Sequence, residues 1–284
     1  MSLSTVLFLF LAHLGVGIAL TLVLVSKEAG IKFFRFNAGL SAIFLAIALA
    51  FWFGTLQATF DVAVEARVGA VHVSLFPALH ILVLAISTVL MVLYWATVGR
   101  VLAKIRPAIL ALAAAAGLLA IVLQALEVSR EQPFALLTVA SFVTSSAMLG
   151  GACTAMILGH WYLVIPSLQV SHLQSIVRLH IGSLAARIVV VGAAVWFALA
   201  IRYAANPVVG PTFRRYIMSV DGIFFWQRVM FGLAAPAVLS YLTWETAKIR
   251  STQSATGILY VDFFTVVVGE VLAKYIVLAT HVPV

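Results

Sequence analysis

The sequence predicts an all-α fold, a polytopic membrane bundle of about eight transmembrane helices with both termini on the non-cytoplasmic side. Three observations carry that prediction. Of the 284 residues, 64% are apolar, and the mean hydropathy is +1.17. The 17 Lys and Arg and 9 Asp and Glu make up only 9% of the chain, against about a quarter in a soluble domain. The charges also fall mostly between apolar stretches long enough to cross a hydrocarbon core, which takes roughly 20 residues per helix.

Those stretches run approximately over 3–25, 38–56, 73–96, 108–126, 134–160, 180–201, 223–244 and 257–280. They occupy nearly all of 1–284, which reads as a single integral membrane domain. The first has no Lys or Arg before it and no small-residue cleavage site leading into a polar mature domain, so it reads as a retained span. The fourth, continuously apolar from Ala108 to Leu123, excludes the alternating polarity of a membrane β-barrel. Its Ala113 to Gly117 run points to tight packing. The fifth is small and polar along its length, with Ser141, Thr144, Ser145, Ser146, Gly150, Gly151, Cys153 and Thr154. Such a composition suits a central helix or the lining of a polar cavity. Residues 166–180 read as a short interfacial helix before span six, with Leu173, Ile176 and Val177 on its apolar side. Trp161 and Tyr162 sit where an aromatic belt belongs.

Orientation follows from the loop charges. Lys27, Lys32, Arg35, Arg100, Lys104, Arg106, Arg178, Lys248 and Arg250 fall in one alternating set of connections, and only Arg67 and Arg130 in the opposite short loops, alongside the acids Asp61, Glu65, Glu127 and Glu131. The positive-inside rule puts the first set in the cytoplasm, as in a bacterial or archaeal cytoplasmic membrane. The connection from Arg202 to about Gly222 carries Arg202, Arg214 and Arg215, and reads as a solvated loop or a docking surface. The formal charge of +8 is dispersed between spans, without the clustered basic and aromatic surface that nucleic acid would need. A single cysteine, Cys153, excludes an intrachain disulfide and any cysteine-held iron–sulfur or zinc centre, so no metal site is expected.

Ionisable residues at depth in lipid are costly and mark functional sites. Glu270 lies near the middle of span eight, and Lys274, four residues on, shares its face. This pair reads either as a structural lock or as a proton-handling group. At about 1.5 Å per residue, His13, His80, Glu270 and Lys274 all fall in the outer half of the membrane. His72 lies above them, and Trp226 and Arg228 begin span seven at the outer rim. A polar layer there is what a quinol site needs: hydrogen-bond partners for the ring oxygens and groups that carry protons to water. The candidate site is therefore His80, His72, Glu270, Lys274, Arg228 and His13. A second cluster, His160, His172, His180 and Arg187, is expected at the inner face. Paired histidines, His13 with His80 and His160 with His180, give an alternative reading as a haem b cytochrome subunit. A secondary transporter is a further alternative, for which no convincing internal repeat is seen.

The last span, with Gly269-Glu270-Val271-Leu272-Ala273-Lys274, resembles that of the dimethyl sulfoxide reductase anchor and the wider polysulfide-reductase (NrfD-like) membrane subunits. In that anchor a similar Gly-Glu-Val precedes a basic residue, usually Arg. Trp226-Gln227-Arg228 likewise resembles a Trp-Arg found there. The resemblance implies a haem-free subunit that exchanges electrons between a membrane quinone, menaquinone or ubiquinone, and an iron–sulfur subunit bound to a molybdenum-type catalytic subunit. Substrate turnover then belongs to the partner chains. The family's His at the outer end of span two and Glu in span three correspond here to Gln57 and the region of His72 to His80.

Overall fold

The computed structural model describes residues 2–65, 75–100, 103–129, 135–165, 169–201 and 209–284, and of 55–65, 75–77, 201 and 209–212 the backbone alone. Helices account for every regular element among them. They are α1 (Leu3–Leu24), α2 (Ile31–Glu65), α3 (Leu75–Thr97), α4 (Arg106–Val128), α5 (Ala135–Val164), α6 (Val170–Trp196), the short α7 (Val209–Ile217), α8 (Ile223–Val229), α9 (Ala235–Lys248) and α10 (Thr252–Thr280). A π-turn, Met230–Ala234, joins α8 to α9, and together they form one span. Among the described residues eight helices are thus long and apolar enough to cross a membrane, as the sequence predicts, and the protein is an integral membrane protein of the all-α class.

The starts and stops follow local chemistry. Ser2 caps α1 by accepting from the Thr5 amide. Gly30, at φ 87°, turns the chain from a single 3-10 turn into α2, a backbone angle that a side chain would oppose. Pro107 stands in the first turn of α4, where its missing N–H removes no hydrogen bond. Pro236 cannot donate to the turn before it, and the π-turn Met230–Ala234 lies immediately ahead of it.

Span six differs from the expectation. The separate interfacial helix does not form, and α6 runs unbroken from Val170 through Leu173, Ile176 and Val177, all buried. Tyr162 is not a belt residue either. It is buried, donates to the Gln169 carbonyl and accepts from the Leu173 amide at 3.3 Å, tying the end of α5 to the start of α6.

α1 is the axis of the bundle. Its apolar window is 78% buried, against 33% for α2 and α6, and it packs on α2, α4, α5 and α10. Outward faces are apolar, as on α3, where Leu82, Ile86, Val89 and Leu93 are exposed at helical spacing. Burial of apolar surface does not hold helices together when the solvent is lipid, so contact must come from close backbone approach and interhelical hydrogen bonds. Both are present. A Cβ on Gly150 of α5 would strike the backbone of Gly17 in α1. Ser146 donates to the His13 carbonyl at 2.8 Å, Ser41 to Gly15 at 2.7 Å, Ser87 to Ala113 at 2.8 Å and Thr256 to Gly159 at 2.8 Å. These bonds tie α5 and α2 to α1, α3 to α4, and α10 to α5.

Gly150→Ala is expected to destabilise the purified protein by about 1–3 kcal/mol, because the two backbones must separate. Gly182→Ala, at an exposed position with nothing within 4 Å of the new methyl, is expected to be neutral or slightly stabilising. Denaturation temperatures of the two variants in one detergent check both.

Candidate functional site

Two polar sites lie toward the end of the bundle opposite the basic connections, on different sides of α1. The larger is built on Glu270, which is fully buried on α10. Arg187 of α6 reaches it with Nε 3.0 Å from Oε1 and Nη2 3.3 Å from Oε2. Arg228 of α8 places Nη2 2.9 Å from Oε1. Lys274, one turn further along α10, is 3.5 Å from Oε2, and Ser145 of α5 donates to the same oxygen. One carboxylate therefore faces three basic side chains, all of them buried.

The remaining donors are met by small polar groups. Arg187 Nη1 donates to the Ser141 hydroxyl and carbonyl at 2.6 and 3.0 Å, and Nη2 to the Val284 main-chain oxygen at 3.2 Å. Lys274 donates to Ser145 at 2.6 Å, and its ammonium lies 5.1 Å from the centre of the Phe142 ring. His13 of α1 joins the cluster through Nδ1, 3.3 Å from Ser145 Oγ, with the Phe142 ring edge-on at 4.7 Å. Arg228 Nε and Nη1 and His13 Nε2 have no hydrogen-bond partner among the described residues.

Two sequence expectations change here. Arg228 is not a rim group: it is wholly buried, and the close approach of Gly232 in the π-turn to Gly269 of α10 brings α8 against Glu270. Arg187 does not belong to the inner cluster. Because α6 begins at Val170 rather than near 180, Arg187 lies more than four turns into the helix, level with the middle of α10.

The second site surrounds His80, on the first turns of α3. His80 is buried, and its Nδ1 lies 2.7 Å from Glu127 Oε2 at the end of α4, a carboxylate whose side chain is 28% exposed. The Trp52 ring of α2 stands edge-on to the imidazole at 5.2 Å, and the Phe8 ring of α1 lies tilted to it at 6.1 Å. Gln124, one turn before Glu127, is buried with neither end of its amide hydrogen-bonded among the described residues. Sequence reasoning counted Glu127 only as a topological charge and passed over Gln124. The spacing Gln124-x-x-Glu127 at the end of an apolar span was the available signal. His72 lies outside the described residues, so its place relative to His80 is not part of this geometry.

Three further histidines each meet their own partner. His180 Nε2 is 2.8 Å from Asp262 Oδ2, both buried; His160 Nδ1 is 2.9 Å from the Tyr260 hydroxyl; His172 Nε2 is 3.0 Å from Glu28. His180 and Asp262 sit about two turns from Arg187 and Glu270 on the same two helices, so α6 and α10 are bridged by ionisable side chains at two levels. They reach each other across the small residues of α5, where Gly151 lies against His180.

No protein-family model, curated protein or solved structure matches this chain.

Arg187→Met is expected to destabilise by about 3–5 kcal/mol, the range for breaking a buried ion pair from one side. Lys274→Met is expected to cost distinctly less, because it removes one of three cations and breaks two hydrogen bonds where the arginine makes five. Unfolding of the two variants side by side tests the ranking. Equal loss would mean that the cations contribute alike.

Proposed function

We propose that the protein is the quinone-reactive membrane subunit of a respiratory oxidoreductase, exchanging electrons between the quinone pool and an iron–sulfur partner attached to a molybdenum-type catalytic subunit. The observation that carries this reading is the His80 site, a buried imidazole at 2.7 Å from a partly exposed carboxylate and flanked by two aromatic rings, with an unpaired buried amide, Gln124, one turn before that carboxylate on α4.

Each part suits quinol chemistry. Trp52 and Phe8 offer flat apolar surface to a quinone ring. His80 Nε2, which has no protein hydrogen-bond partner among the described residues, accepts the hydrogen bond of one ring hydroxyl, and the Gln124 amide serves the other oxygen. Oxidation of the quinol to the quinone releases two protons and two electrons. His80 takes the two protons in succession at Nε2 and hands each to Glu127, which reaches water, and the two electrons pass to the iron–sulfur partner. The Glu270 cluster, with His13 at its edge, holds the surrounding spans in place. The partner subunits are supported by the likeness of Gly269 to Lys274 to the anchor family, and the cytoplasmic-membrane location by the loop charges.

Quinones quench tryptophan fluorescence on contact, so the full chain in lipid vesicles can be titrated with a short-chain ubiquinone and a short-chain menaquinone analogue. Saturable quenching is expected, largely lost in Trp52→Phe, with affinity about tenfold weaker in His80→Ala, equivalent to about 1.4 kcal/mol. Unchanged affinity in His80→Ala together with unchanged quenching in Trp52→Phe would overturn the reading.

A further inference from the structure

The opposite, basic end of the bundle carries a feature that the quinone reading does not use. Where α1, α2, α3 and α4 meet there, a cavity of about 290 Å³ opens, with Phe34, Tyr94, Val98 and Leu110 in its wall and Lys27 and Arg106 beside them. Val23 and Ile31 also line it and are 47% and 60% exposed on the flank of the bundle, so the cavity opens sideways toward the hydrocarbon as well as toward the basic surface. On the other side of the first turns of α2, an open groove of about 440 Å³ is lined by Lys32, Arg35, Trp95 and Trp161. The Arg35 guanidinium lies 5.6 Å from the centre of the Trp95 ring.

We propose that the cavity between α1 and α4 binds one anionic phospholipid, its phosphate on Lys27 and Arg106 and its acyl chains leaving past Val23 and Ile31. Three observations select this occupant. The apolar wall beneath the basic pair suits an amphiphile better than a free phosphate. The lateral opening leads to where acyl chains lie. No Asp or Glu is among the described residues lining the cavity, so they offer nothing to pair a choline or ethanolamine cation. Glu28, the acid next to Lys27, lies 3.0 Å from His172 instead. Basic pockets between helix ends on the cytoplasmic side recognise anionic headgroups by this same combination of charge and shape.

The full chain, stripped of lipid in a neutral detergent, is titrated with phosphatidylglycerol, phosphatidylcholine or inorganic phosphate, and binding is read as the rise in denaturation temperature. Phosphatidylglycerol alone is expected to stabilise. Lys27→Gln/Arg106→Gln should weaken its apparent affinity at least tenfold, roughly fivefold for each basic side chain. Ala103→Trp, which fills the cavity wall while keeping both charges, should weaken it comparably. Lys248→Gln/Arg250→Gln, which removes the same charge elsewhere on the basic face, should leave it unchanged. Equal stabilisation by phosphatidylcholine or by free phosphate, or equal weakening in the two double variants, would overturn the proposal.

Discussion

A carboxylate surrounded by hydrocarbon must be matched by positive charge from within the protein, and Glu270 is matched three times over. Arg187, Arg228 and Lys274 come from α6, α8 and α10, and all converge on its two oxygens. Much of the rest of the bundle follows from making that convergence feasible. Long basic side chains need room beside a helix, and α5 supplies it with Ser141 and Ser145, which also satisfy the donors that Glu270 leaves over. Glycine faces glycine where α8 must approach α10, at Gly232 and Gly269. Removing one partner from such a cluster exposes the others to the full cost of burial, so the cluster ties the positions of α5, α6, α8 and α10 together.

α1 divides the bundle and serves both sides. Gly17 admits α5, and His13 closes the Glu270 cluster through Ser145. One and a half turns away, Phe8 presents its ring to His80 and Trp52. The Glu270 cluster is sealed and multiply bonded, which suits a fixed support. The His80 site has a carboxylate that is partly exposed where Glu270 is fully buried, which suits exchange of protons with water. A rigid support beside a site that reaches the surface through one carboxylate is the arrangement that holds reactive groups in register.

The number and limits of most spans were legible because hydropathy alone decides which segments can sit in lipid, and Glu270 with Lys274 was legible because the i,i+4 spacing fixes a shared face on one helix. The partners from other helices were not. Periodicity says which residues of a helix lie together, but not which helix they face, so Arg187 was separated from Glu270 and Arg228 was left at the rim. The polar start of α6 was read as a separate interfacial helix, so its continuity with the span, and with it the depth of Arg187, was missed. Glu127 was read for its charge in a loop, although its carboxylate turns back onto His80. Glu270 and Arg228 were each singled out in their own span, with no contact between them read from the sequence.

The account rests most directly on the coupling between Arg187 and Glu270. A double-mutant cycle of Arg187→Met and Glu270→Gln, read from unfolding free energies, isolates that coupling from the cost of each change alone. An interaction energy of about 1–3 kcal/mol is predicted, with the double variant more stable than the sum of the single losses implies. Additive losses, with coupling below about 0.5 kcal/mol, would contradict a bundle organised around a shared buried carboxylate.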